Sequence, residues 1–360
     1  MKAAVLREVG RPLEIEQVQI SKPGPREVLI RTRAAGVCHS DLHFIEGAYK
    51  HPLPAVLGHE AAGVVEAVGA EVRTVKPGDH VVTCMTPFCG HCEHCLTGHM
   101  SLCISKELQR GEGEEARLSA PAGPMSQFLN LSGFAELMLV HEHACTAIDP
   151  AMPFDRAAVI GCAVITGFGA VAHTAKVQPG ETVAVVGCGG VGLSAINAAL
   201  IAGAGRIVAV DQVASKLELA RTFGATDVID ASSGDAAKQV KALTNGGVHH
   251  AIECVGLKAT VEQAFKMLRR GGTATVCGMV PVGVNIEIHG PEFLQEKKIQ
   301  GCFLGSNRFP VDMPRLVDFY LQGRLKLDDL VSCRIRLEDV NDAFAEMKRG
   351  EIARSVIVFD

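Results

Sequence analysis

The chain contains no Trp and only two Tyr, and its aromatic content is 4%. Long apolar runs are also missing: no stretch approaches the roughly 18–20 uninterrupted apolar residues that span a bilayer, so no membrane association is expected. There is no basic surplus, with Lys plus Arg at 35 against Asp plus Glu at 40 and a net charge of −5. A nucleic-acid footprint needs a cationic excess gathered on one face, so no nucleic-acid partner is expected either. The start, MKAAVLREVGRPLEIEQ, holds one short apolar stretch cut by charge and does not read as a secretory signal. That favours a cytoplasmic location. With 48% hydrophobic and 21% charged residues, disorder and low complexity are excluded. A length of 360 residues suits two or three domains.

What is plentiful is glycine, at 38, and cysteine, at 13. Without an export signal, the thiols point to metal ligation or core packing rather than disulfides. The first third reads as β structure: VLIRTR (28–33), 62–68 and 80–83, with turns at Pro23-Gly24-Pro25 and Pro77-Gly78-Asp79. A polar segment at 104–133, containing GEGEEAR and APAGP, exceeds the usual limit for a structureless loop and is expected to be functional or mobile. Beyond Thr166 the texture changes. Strands are expected at 182–187, 207–211, 226–230, 250–256, 273–278 and 298–305, with helices between most of them. That alternation predicts an α/β fold with a doubly wound parallel sheet covered on both faces.

Gly187-Cys188-Gly189-Gly190-Val191-Gly192 fits G-x-G-x-x-G, and its context carries more weight than the match. A Val-rich strand precedes it, a helix follows, and Asp211 ends the next strand, 19 residues past Gly192. Gly187 makes the tight turn, Gly189 lets backbone approach a pyrophosphate, and Gly192 lets helix and strand pack closely. The helix start offers free N–H groups to phosphate, and Asp211 is placed to accept from ribose hydroxyls. A 2′-phosphate about 4 Å from Asp211 would cost on the order of 4 kcal/mol at an effective dielectric of 20, so NAD is expected over NADP.

Cys89-x₂-Cys92-x₂-Cys95-x₇-Cys103 places four thiols on one loop. Four thiolates close a tetrahedral shell, the signature of a structural zinc; an iron–sulfur cluster also uses runs of such spacings. His91, His94 and His99 could compete as ligands but read as solvent-facing. A second, dispersed constellation joins Cys38-His39-Ser40-Asp41-Leu42-His43 to Gly58-His59-Glu60, with Cys162 in IGCAVITG as a distant third ligand. Two thiolates and one imidazole would leave an open position, as a catalytic zinc requires; a buried Cys with a satisfied core His is the alternative. Cys84, Cys145, Cys188, Cys254, Cys277, Cys302 and Cys333 are expected to be buried core thiols.

These motifs together resemble the zinc-dependent medium-chain alcohol dehydrogenases over essentially the full chain. GHEAAGVVEAVGAEV (58–72) matches the family's G-H-E-x₂-G-x₅-G-x₂-V signature, and GVCHSD, the four-cysteine loop, IGC and GCGGVG follow in the family's order. The resemblance implies a GroES-like β-rich catalytic domain at 1–163 and 304–360 and a Rossmann coenzyme domain at 164–303. It implies two zinc ions per chain, one on Cys38, His59 and Cys162 with Glu60 beside it, the other on Cys89, Cys92, Cys95 and Cys103. Asp41 would orient His59. Thr166 and Val191 would border the nicotinamide, Lys216 the adenosine ribose, and Arg354 in RGEIARSV the pyrophosphate, with His39 facing it too. The implied reaction is reversible hydride transfer between an alcohol and NAD through a zinc-bound alkoxide, its proton leaving by way of Ser40 and His43.

Two positions depart from some relatives. Position 39 holds His where some members carry Arg, and His loses its charge near pH 6.5, so weaker NADH retention above neutral pH is expected. Members that act on a glutathione adduct of formaldehyde carry an acidic residue where Tyr49 stands. Tyr49, Met85, Phe128 and Leu129 fall where the family lines its substrate pocket, which suggests a medium-chain or aromatic primary alcohol and its aldehyde. Polyols, secondary alcohols and a thiol adduct of formaldehyde are the alternatives. The length of 104–133 resembles the family's dimeric branch, so a homodimer is expected, a tetramer being the alternative.

Overall fold

The computed structural model describes residues 1–111, 113–349 and 354–360; Glu112 of GEGEEAR and positions 350–353 of RGEIARSV lie outside the described residues. The chain forms two compact units, one of Met1–Cys162, Arg308–Gly323 and Leu327–Asp360, the other of Ala163–Asn307 and Arg324–Lys326. Two of these breaks fall one and four residues from the expected ones, and the short excursion at 324–326 has no counterpart among them.

In the first unit the Glu27–Gly36 strand is the organiser. It pairs antiparallel with Glu60–Val68, Leu137–His141 and Ser355–Val358. Val28 and Ile30 alternate with the more exposed Leu29 and Arg31, the period-2 pattern of a strand with one buried face. Val28 and Ile30 pack with Val65, Val81, Met138, Val140 and Phe134 in one core, each fully buried apolar side chain contributing about 1.5–3 kcal/mol. The far end of this strand sets up the site. Gly36 has Glu60 as its partner on one side and Val356 on the other. Cys38, two residues on, His59, one before Glu60, and Arg354, two before Val356, therefore meet at one end of the sheet. A side chain at position 36 would displace Glu60, because an added Cβ would lie 2.3 Å from Glu60 Oε2.

The helical run Phe154–Ala175 corrects the expectation that nothing here is long and apolar enough for a bilayer. It is 22 residues long, its most apolar 18-residue window has a mean hydropathy of 1.7, and 78% of that window is buried inside the protein. Asp155, Arg156 and Thr166 break the run to the eye. Burial of this extent marks a core helix. Its Ile160–Val164 turn is π-helical, and Gly161 lets it press against the sheet: an added Cβ would stand 2.9 Å from the Thr83 carbonyl. That contact delivers Cys162.

The 104–133 segment is not structureless. Leu118–Ala120 and Gly123–Gln127 form an antiparallel pair, and two of the charges that made the stretch look like solvated loop are partnered. Arg117 Nε lies 2.7 Å from Glu27 Oε1, and Arg110 forms an ion pair with the same carboxylate.

The second unit carries six parallel strands in the order Asp227–Asp230, Arg206–Asp211, Thr182–Val186, Val248–Glu253, Leu268–Val276, Lys298–Gly301. In chain order this is 3-2-1-4-5-6, the doubly wound arrangement whose switch point lies beyond the C-terminal end of the first strand. The interior strands are nearly continuous runs of buried Val, Ile and Ala, as a sheet covered on both faces requires. The Gly190–Ile201 helix starts at that switch point and is buried along most of its length.

Candidate active site

Ligand atoms of Cys38, His59, Glu60 and Cys162 all lie within 4.8 Å of one another, and all four residues are buried. Asp41 fixes the imidazole. Its Oδ1 lies 3.1 Å from His59 Nδ1 and 3.2 Å from the Gly58 amide, while Oδ2 accepts from the Cys38 amide at 3.3 Å. Occupying Nδ1 turns Nε2 inward, where it is buried with no hydrogen-bond partner. An orphaned buried ring nitrogen costs on the order of 1–3 kcal/mol. An orphan beside two thiols is the donor set of a zinc ion, so the residues fit the metal.

Charge reinforces this reading. The hydrogen bond to Cys162, opposed by burial and helped by Arg354, holds Cys38 well below the usual thiol range. Its partner Cys162 is driven well above that range by the same bond and by burial. Burial pushes Glu60 up to about 8 against the pull of Arg354. Arg354 is itself buried, with Nη1 at 2.9 Å from the Val37 carbonyl and 3.2 Å from Glu60 Oε1. The Glu60–Arg354 contact joins residues almost 300 positions apart, and no local pattern announced it. Ser40 stands on the His39–Ile45 helix with Oγ 3.6 Å from Cys38 Sγ. His43, one turn further and half-buried, packs its ring 6.1 Å from that of Tyr49. His39 is exposed at the first helical position.

An aromatic chain leads away from the metal ligands. The rings of His59 and Phe128 are 6.1 Å apart, those of Phe128 and Phe44 4.9 Å, and those of Phe44 and Tyr49 5.8 Å. His51 joins it edge-on to Phe128 at 5.2 Å. Phe128 is fully buried, while Met85, Leu129 and Tyr49 are half-buried. Leu129 sits in the left-handed region (φ 46°), a conformation unusual for leucine that costs on the order of 1–3 kcal/mol. The turn is held by Ser132 Oγ accepting from the Phe128 amide at 3.0 Å and by Asn130 Nδ2 donating to the Met85 carbonyl at 3.1 Å.

The four-cysteine loop closes as a separate cage. Its sulfurs stand 3.5 Å (Cys92–Cys95), 3.9 Å (Cys89–Cys95) and 3.9 Å (Cys92–Cys103) apart. Four thiolates about 2.3 Å from one tetrahedral ion are about 3.8 Å from each other, so the cage fits zinc; an iron–sulfur cluster puts several atoms between its ligands and needs a wider one. His91 is 65% exposed and paired with Glu107 at 3.4 Å, and His99 Nδ1 lies 3.1 Å from Thr97 Oγ1.

In the second unit the glycine loop has the expected division of labour. Gly187 adopts φ +91°, and a Cβ at Gly192 would lie 1.7 Å from the Gly187 carbonyl. A Cβ at Gly189 would meet nothing within 4 Å. Packing thus explains Gly192, while Gly189 borders open space. Gly190 begins the helix, its carbonyl accepting from Ser194 Oγ at 2.7 Å, and Val191 is half-buried. Asp211 Oδ2 accepts from the Cys188 amide at 2.7 Å, and Oδ1 from the amides of Gln212 and Val213 at 2.8 and 3.0 Å. Lys216 is half-buried on the helix that follows, and Thr166 Oγ1 is buried without a partner.

Two zinc-type thiol sites and a dinucleotide loop on a doubly wound sheet define a zinc-binding dehydrogenase. The chain matches the alcohol dehydrogenase GroES-like domain over residues 24–150 and the zinc-binding dehydrogenase domain over 190–322. It is 35% identical to alcohol dehydrogenase 1 of Pisum sativum, covering 99% of this chain and 96% of that protein. It is 36% identical to a probable S-(hydroxymethyl)glutathione dehydrogenase 1 of Schizosaccharomyces pombe, with the same coverages of 99% and 96%. The solved benzyl alcohol dehydrogenase of Acinetobacter calcoaceticus superposes with a TM-score of 0.94 at 33% identity, over 100% of this chain and 99% of that one. The chain belongs to the zinc-dependent medium-chain alcohol dehydrogenase family, and it is an oxidoreductase.

Proposed function

We propose that the protein interconverts primary alcohols, aromatic or medium-chain, with their aldehydes, using NAD. The observation that supports this most is the buried Cys38–His59–Cys162 set with its unpartnered Nε2, continued by an aromatic wall through Phe128, Phe44 and Tyr49. Zinc held by Cys38, Cys162 and His59 would supply Lewis acidity, which lowers the pKa of an alcohol and polarises a carbonyl. The chain's own residues do the rest. Asp41 keeps His59 in the tautomer that offers Nε2. Glu60 and Arg354 balance charge behind the ligands. Ser40 Oγ takes a hydrogen bond from the substrate hydroxyl, and His43, nearer solvent, passes the proton to water. Asp211 accepts from ribose hydroxyls and repels a 2′-phosphate, which favours NAD. Gly187, Gly189, Gly190 and Gly192 seat the pyrophosphate, with Val191, Thr166, Lys216, His39 and Arg354 as further coenzyme contacts. The Cys89–Cys92–Cys95–Cys103 cage would hold the second zinc, with no open position and no part in the chemistry. Free thiols at every cysteine suit a cytoplasmic protein, and a homodimer is proposed for its assembly.

A second reading, oxidation of a thiol adduct of formaldehyde, is favoured by the likeness to the Schizosaccharomyces protein, which is named for that activity. Tyr49 in place of an acidic residue weighs against it. Initial rates on benzyl, short-chain, long-chain and secondary alcohols with NAD separate the readings when run beside formaldehyde with and without glutathione. The first reading expects the aromatic primary alcohol to lead. Activity confined to formaldehyde plus glutathione would replace it with the second.

A further inference from the structure

Four cysteines were expected to be core thiols and are not: Cys254, Cys277, Cys302 and Cys333 are only partly buried. Three of them stand side by side. Glu253 is in register with Val276, and Val276 with Gly301. Cys254, Cys277 and Cys302 are the next residue on each of these neighbouring strands. The ladder still holds at that level. The Cys254 amide donates to the Val186 carbonyl at 2.9 Å, that of Cys277 to Glu253 at 2.8 Å, and that of Cys302 to Val276 at 2.9 Å. Adjacent strands lie about 4.8 Å apart, inside the roughly 4.4–6.8 Å Cα separation that a disulfide spans.

Thr174 Oγ1 donates to Cys302 Sγ at 3.3 Å, and the Cys277 thiol neighbours those of both Cys254 and Cys302. The contact with Cys277 pulls the Cys254 thiol down while burial pushes it up, and the thiol sits above the ordinary range. Its neighbour Val255 covers the glycine turn: a Cβ on Gly187 would lie 2.5 Å from Val255 Cγ2.

We propose that Cys254 and Cys277 are an oxidation site, closed to a reversible disulfide by hydrogen peroxide, and that closing it weakens coenzyme binding. The Cys254 thiolate attacks one peroxide oxygen; the O–O bond breaks, hydroxide leaves, and a sulfenic acid forms. The Cys277 thiol then attacks that sulfur, the S–S bond forms, and water departs with the Cys277 proton. Two thiols and one peroxide become one disulfide and two waters. The effect on coenzyme rests on the reading of the Gly187 loop as a dinucleotide site, because drawing Cys254 toward Cys277 pulls Val255, which lies against Gly187, away from that loop.

The test uses the zinc-loaded full chain, treated with peroxide, alkylated without reduction and digested with trypsin. The three cysteines fall on separate peptides, 242–258, 271–297 and 299–308. The expected product joins 242–258 to 271–297, disappears on treatment with a thiol reductant, and is absent from Cys277→Ser but present in Cys302→Ser. NADH titration followed by fluorescence should show several-fold weaker binding to the linked protein, restored by the reductant. Alkylated Cys254 and Cys277 after treatment, or a link only between 271–297 and 299–308, overturns the site. A link that leaves NADH affinity unchanged overturns the coupling. Failure of the reduced protein to bind NADH at all would instead refute the dinucleotide reading, with the peptide map still deciding the site.

Discussion

Replacing Asp211 with Ala tests the coenzyme assignment and can be sized from the structure. The carboxylate is half-buried and anchored by the amides of Cys188, Gln212 and Val213, so its charge has a fixed position at the strand end. A unit charge about 4 Å away at an effective dielectric of 20 feels about 4 kcal/mol; exposure to solvent roughly halves this, to about 2 kcal/mol, or roughly thirtyfold. The same change removes an acceptor for ribose hydroxyls, worth about 1 kcal/mol or more. The ratio of kcat/KM for NADP to that for NAD, measured with one alcohol, should therefore rise by roughly 30–300-fold in Asp211→Ala. Asp211→Ser, which keeps an acceptor, should recover part of the NAD term and none of the repulsion. A ratio that moves less than about threefold in a folded variant would refute the electrostatic argument, because a twofold to threefold change is within the reach of rearranged loop amides alone.

Further outcomes follow from single contacts. Gly192→Ala places a methyl 1.7 Å from the Gly187 carbonyl, so NADH binding by fluorescence should be lost while the far-ultraviolet circular dichroism is kept. Cys103→Ser opens the four-thiol cage, and metal analysis should show one zinc fewer per chain with a lowered Tm. His39→Arg should tighten NADH at pH 8, where His is neutral and Arg charged; unchanged affinity would sink that idea. His141 is buried, its Nδ1 accepts from the His143 amide at 3.0 Å, and burial with nearby His143 and Arg26 lowers its pKa to about 4. The neutral ring is the folded form. Stability is complete above pH 6.5 and falls as pH drops from 6.5 toward 4, where the unfolded chain takes a proton that the folded one refuses. Tm measured at pH 7 and pH 5 should fall less in His141→Gln than in the parent.

Much of the second unit was legible because its signals are local. A Val-rich run, three glycines and an acidic residue at a fixed distance describe one strand–turn–helix–strand unit, and that unit lies where the spacing put it. The four-thiol cage was legible for the same reason, its four cysteines lying within one short loop. The other constellation was visible only in pieces. Gly36 holds Glu60 and Val356 on its two sides through sheet register, which no window of sequence contains. Arg354 was singled out only by the family resemblance, and its contact with Glu60 is visible only in the sheet. The π-helical turn that presents Cys162 has no composition of its own. The 104–133 segment misled because a partnered arginine and a solvated one look alike in sequence, and only Glu27 distinguishes them. Cys254, Cys277 and Cys302 looked like scattered core thiols because their alignment arises from two strand pairings at once.

The most direct test of the central claim is the zinc content and alcohol-dependent NADH formation of the parent and Cys162→Ser, measured on the same preparations. The account expects two zincs per chain falling to one, with activity lost, the four-cysteine cage keeping its metal, and the fold retained. A variant that still holds two zincs, or that still oxidises primary alcohols at the parental rate, would contradict the assignment of Cys38, His59 and Cys162 as the catalytic metal site.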